Sequence, residues 1–72
     1  MINLWITMRT MIKYLRQELK MSQKELGDKV GVTRQTINAL ENGRYNPSII
    51  LAFKIARYFK MSIEEIFIYE EE

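Results

Sequence analysis

After an apolar opening, MINLWITM, the chain settles into short stretches where apolar residues recur every three or four positions. That recurrence matches the helical turn, so one stripe of side chains faces a core and the rest faces water. Ile12, Leu15 and Leu19 mark a first helix from about Thr10 to Lys20. Leu26 and Val30 mark a second, from Gln23 to Val30, and Ile37 and Leu40 a third, from Arg34 to Glu41. Ala52, Ile55, Ala56 and Phe59 mark a fourth from Ile49 to Phe59, and a short fifth lies near Ile63 to Ile66. The tail breaks the pattern: Phe67, Ile68 and Tyr69 are β-prone and too many for a one-turn helix. It either pairs as a short strand with residues near Ile6 to Arg9 or trails as a frayed apolar end.

Helix-start signals agree with this periodicity. In MSQKEL, Ser22 is placed to cap the second helix with Glu25 closing a capping box, while Met21 packs on Leu26 as a hydrophobic staple. MSIEEI repeats the arrangement with Ser62, Glu65, Met61 and Ile66. Thr33 caps the third helix between Val32 and Ile37, and Ser48 after Pro47 begins the fourth. Gly43 after Asn42 supplies the left-handed end of the third helix. The fold class expected is all-α, a compact five-helix domain, with a short β-ribbon if the termini pair.

Composition narrows the function. Seventy-two residues hold one domain with one small core. The chain has no Cys and no His, which removes disulfides, thiolate and imidazole catalysis and Cys/His metal sites, so no metal, no cofactor and no enzyme activity are expected. A domain this small and unstapled draws stability from close helix packing or from a partner subunit. Residues 1–60 carry eleven Lys and Arg against four acids, a balance of +7, whereas residues 61–72 carry five Glu and no base, −5. A basic body with an acidic end suits a polyanionic partner such as nucleic acid. The opening apolar stretch is too short to span a membrane and lacks the features of a secretory signal, so a cytoplasmic protein without membrane association is expected.

The join between the second and third helices carries the most specific pattern. Gly31 lies where the chain must turn sharply, and Val32 follows to plug the corner. Counted from Gln23, apolar or small residues fall at positions 4 (Leu26), 5 (Gly27), 8 (Val30), 10 (Val32), 15 (Ile37) and 18 (Leu40). That is the spacing of a helix-turn-helix. The stretch Gln23 to Gly43, and VTRQTINALENGRYNPS in particular, resembles the Cro and phage-repressor (Xre-like) helix-turn-helix family, over about Arg9 to Ile66. Gly27 departs from the family, which usually has Ala there; Gly is expected to fit at a helix-propensity cost of about 1 kcal/mol. The division implied is an N-terminal extension over 1–8, the helix-turn-helix domain over 9–66, and a short strand with an acidic tail over 67–72.

The resemblance implies a regulator that lays its third helix in the major groove of double-stranded DNA, a homodimer spanning half-sites about 34 Å apart, and a repressor of transcription. With Ile37 and Leu40 inward, Arg34, Asn38 and Glu41 are expected on the opposite face, flanked by Thr33 and Gln35. Arg suits guanine and Gln or Asn suit adenine, while the Thr33 methyl suits thymine, so Thr33, Arg34, Gln35 and Asn38 are the candidate base readers. Gln23 and Asn42 stand at family positions that hold the DNA backbone, and Arg44 and Tyr45 extend the same line. Lys13, Arg16, Lys24 and Lys29 read as solvent-facing charges. Trp5, Phe67, Ile68 and Tyr69 would leave an apolar surface patch and are the candidate dimer interface. No small-molecule ligand is evident. The alternative is a protein-interaction module, an antitoxin-like partner or an antagonist of another regulator.

Overall fold

Four hydroxyl side chains begin four of the helices. Ser22, Thr33, Ser48 and Ser62 each hold an extended backbone and accept a hydrogen bond from the amide three residues on, and Ser22 and Ser62 complete capping boxes with Glu25 and Glu65. Each cap satisfies amides that the helix start leaves without partners. The structure, a computed structural model, describes residues 7–70. Its elements are β1 (Thr7–Thr10), α1 (Ile12–Glu18), α2 (Gln23–Val30), α3 (Arg34–Glu41), α4 (Ile49–Phe59), α5 (Ile63–Ile66) and β2 (Phe67–Glu70). The helix boundaries read from periodicity and caps hold for α2 to α5. The first helix is shorter than expected, because Thr10 belongs to β1 and the chain leaves helix at Leu19.

β1 and β2 pair antiparallel, with Met8 opposite Tyr69 and Thr10 opposite Phe67. Met11 N–H donates to the Ile66 carbonyl at 2.8 Å, carrying the pairing up to the start of α1. The termini therefore form a ribbon rather than a frayed end. Beneath it lies one core, in which Ile12, Leu26, Ile37, Leu40, Ile55 and Ile66 are fully buried and Val30, Leu51, Ala52, Ala56 and Phe67 nearly so. Met21 is partly buried against this core, and Tyr58 O–H donates to its sulfur at 3.3 Å. Leu19, expected to face inward, is exposed, because α1 has ended and turned away by then.

The α2–α3 corner is tighter than its spacing suggested. Gly27 carbonyl accepts from Gly31 N–H at 2.7 Å and from Val32 N–H at 2.9 Å, and Gly31 takes a left-handed φ of 81°. A Cβ on Gly27 would lie 2.5 Å from the Val32 carbonyl oxygen. Glycine is what lets the corner close this far, so Gly27 is a packing requirement and not merely a tolerated substitute for Ala.

Candidate nucleic-acid interface

The outward face of α3 follows from its inward one. Ile37 and Leu40 seal it to the core, and Thr33, Arg34, Gln35 and Asn38 are left exposed at its N-terminal half. Among the described residues no hydrogen bond or ion pair holds Arg34 or Gln35, so both tips are available to a ligand. Thr33 and Arg34 share a shallow concavity with Gln35, Lys24 and Asp28, and Lys24 is paired to Asp28 at 3.0 Å. Thr33 Oγ1 accepts from the Thr36 amide at 3.2 Å and shares a hydrogen bond with Thr36 Oγ1 at 3.1 Å, so its methyl is the unengaged end of the side chain. Asn38 Oδ1 accepts from Asn42 Nδ2 at 3.1 Å, while the Asn38 amide donors stay open.

Glu41 does not belong to that face. It lies four residues after Ile37, only about 40° around the helix, and so stands at the edge of the buried side. Its carboxylate is 4% exposed and is gripped by Arg16, whose Nε donates to Oε2 at 2.7 Å and whose second terminal nitrogen donates to Oε1 at 3.1 Å. Arg16 also donates to the Met21 carbonyl at 2.9 Å. Far from being a solvent-facing charge, Arg16 is buried and ties α1, the α1–α2 turn and the end of α3 together. Donating to the Glu41 carboxylate raises the Arg16 pKa above its already high ordinary value, against the lowering effect of burial.

The same carboxylate reaches α2. Gln23 Nε2 donates to Glu41 Oε1 at 3.1 Å, which fixes the first side chain of α2 against the last turn of α3. Gln23 retains a second amide hydrogen and its carbonyl oxygen for outside partners. Arg16 balances the Glu41 charge, so this edge is not left anionic. Asn42 caps α3, its Nδ2 donating to the Asn38 carbonyl at 3.0 Å. Gly43, at φ 71°, passes so close to β1 that a Cβ would lie 3.0 Å from the Met8 carbonyl oxygen. Arg44 and Tyr45 follow on an exposed loop, and Arg9 of β1 lines a concavity with Glu41, Asn42 and Gly43. The sequence offered no signal for Arg9, since its position depends on the ribbon being formed.

The expected dimer residues are not brought together on a surface. Phe67 is buried in the chain's own core, because pairing with Thr10 turns it beneath the ribbon. Ile68 is half-buried, Tyr69 is exposed, and Trp5 lies outside the described residues.

A helix-turn-helix family model matches residues 12–66, which spans α1 to α5. The chain belongs to the helix-turn-helix family. An HTH-type transcriptional regulator of Methanothermobacter thermautotrophicus is 58% identical over 66 residues, covering 90% of this chain and 96% of the relative. Another, from Archaeoglobus fulgidus, is 57% identical over 65 residues, covering 90% and 92%. The P22 c2 repressor, solved in complex with a synthetic operator, superposes with a TM-score of 0.71 at 26% identity, over 74% of this chain and 80% of that one. This helix-turn-helix protein thus falls among transcriptional regulators and not among enzymes. Among the described residues no helix is long and apolar enough to cross a membrane, and no acidic cluster could hold a metal ion.

Proposed function

We propose that this protein is a sequence-specific regulator that binds double-stranded DNA as a homodimer, with α3 in the major groove of each half of a palindromic operator. The observation that carries the reading is the exposed, unengaged pair Arg34 and Gln35 at the N-terminal end of a helix whose other face is sealed to the core. Arg34 reads guanine and Gln35 reads adenine, Thr33 touches a thymine methyl, and Asn38 completes the set through its free amide donors. Gln23, Asn42, Arg44 and Tyr45 hold the backbone and set the register without reading sequence.

Repression is the favoured outcome, supported by the likeness to a phage repressor solved with its operator. Occupying a promoter-proximal operator excludes other proteins by bulk alone, which a DNA-bound domain of this kind supplies. Selection of bound duplexes from a random pool tests the proposal. The expected product is a two-fold symmetric sequence with half-sites about one helical turn apart. Failure to enrich any duplex at low salt would contradict it and favour a protein-interaction module.

A further inference from the structure

The strand β1 lies outside residues 12–66 that the family model matches, yet it is built onto the end of the candidate reading helix. β1 packs against α3, and the left-handed Gly43 passes close to the Met8 carbonyl oxygen. Thr10 Oγ1 accepts from Ile12 N–H at 3.3 Å, and Met11 N–H donates to Ile66, so the strand is also fixed to the start of α1. Met8, Arg9 and Thr10 thereby line one concavity with Glu41, Asn42 and Gly43. Arg9 is exposed there, and Arg44 follows on the neighbouring loop.

An account of donors at this end of α3 singles out Arg9. Asn42 Nδ2 already donates to the Asn38 carbonyl at 3.0 Å and to Asn38 Oδ1 at 3.1 Å, which uses both of its hydrogens. Asn42 can turn to a phosphate only by releasing one of them. The backbone N–H groups of Asn42, Gly43 and Arg44 are likewise engaged, by the carbonyls of Asn38, Leu40 and Ala39. Glu41, the acid that lines the concavity, is held by Arg16 at 2.7 Å, so its charge is balanced. A guanidinium carries several N–H donors in a fork that matches phosphate oxygens, so Arg9 can keep a contact within the protein and still hold an external anion.

We infer that Arg9 is a further DNA-contacting residue, its guanidinium holding a backbone phosphate beside the C-terminal end of α3. This rests on the reading of α3 as a groove-binding helix, and it extends the backbone contacts of Gln23, Asn42 and Arg44 onto the ribbon. A contact of this kind adds affinity and fixes register without reading sequence.

Operator binding measured over a range of salt concentrations tests it, because a cation that neutralises a phosphate releases counterions. Arg9→Gln is expected to make the slope of log affinity against log salt shallower by about 0.9 per bound chain. The loss should be the same for the selected operator and its single-base variants, with an unchanged circular-dichroism spectrum. Arg9→Lys keeps the charge and is expected to keep the wild-type slope. Lys60→Gln removes a cation whose concavity shares no residue with α3, and should leave the slope unchanged. A purely structural Arg9 would move the melting temperature and the affinity but not the slope. A wild-type slope in Arg9→Gln would overturn the assignment. So would an equal loss of slope in Arg9→Lys or Lys60→Gln, or a loss confined to one base pair. If the wild type binds no duplex, the reading of α3 fails and Arg9 with it, whereas salt-dependent binding that Arg9→Gln leaves untouched removes Arg9 alone.

Discussion

Arg16 and Glu41, twenty-five residues apart, meet in a two-pronged ion pair with a 2.7 Å contact between Nε and Oε2, and Gln23 donates to the same carboxylate. Three elements therefore share one polar joint: α1, the N-terminus of α2 and the last turn of α3. Its geometry sets where the α2 amides and the α3 side chains point relative to one another, which is the quantity a groove-binding surface must hold constant.

Breaking the joint from one side should be costly. Arg16→Met leaves the Glu41 carboxylate buried with Gln23 alone and is expected to lower stability by about 3–5 kcal/mol, a large share of what a domain this small possesses. Arg16→Met with Glu41→Met removes the stranded charge and should be more stable than Arg16→Met by itself. Thermal unfolding of the three proteins measures both. Since it is the Arg16 pKa that is raised, the contribution of its charge is fully present below the ordinary arginine value and is lost only as alkaline pH passes the folded one.

Gly27→Ala sets helix propensity against space. Alanine favours the helix by about 1 kcal/mol, but its methyl meets the Val32 carbonyl oxygen at 2.5 Å, a backbone atom that cannot swing aside. Overpacking of this kind costs about 1–3 kcal/mol, so a net loss of stability is expected in chemical denaturation. A stabilised variant would show that the corner relaxes freely.

Gln23→Ala should weaken binding to all duplexes alike, because its proposed contact is with the backbone. Titration of the preferred operator and of single-base variants distinguishes the roles. A preference altered at one base pair only would assign Gln23 to reading rather than positioning.

Much of this architecture was legible in the sequence. Ser22, Thr33, Ser48 and Ser62 cap where their spacing to the following residues placed them, since capping is a local matter of one side chain and one amide. What escaped was decided by packing between distant segments. Arg16 and Glu41 read as surface charges because nothing local announces that each completes the other, although the four-residue step from Ile37 to Glu41 signalled the inward turn. Phe67 read as surface until the ribbon register with Thr10 set which way it faces. Ile49, Ile50 and Phe53, exposed on α4, show the converse, since apolar type alone does not say that a helix has a second face left in water. For the candidate site, the exposure of Arg34, Gln35 and Asn38 was legible because the helical period of α3 separates them from the buried Ile37 and Leu40.

The base-reading role of α3 is tested most directly by measuring the affinity of Arg34→Ala for the selected operator and for each single-base variant, at fixed salt. Discrimination at one base pair per half-site should fall by about 1–3 kcal/mol while the other positions keep their preference. An operator preference identical to the wild type at every position would contradict the account, because the most available side chain on the outward face of α3 would then be reading nothing.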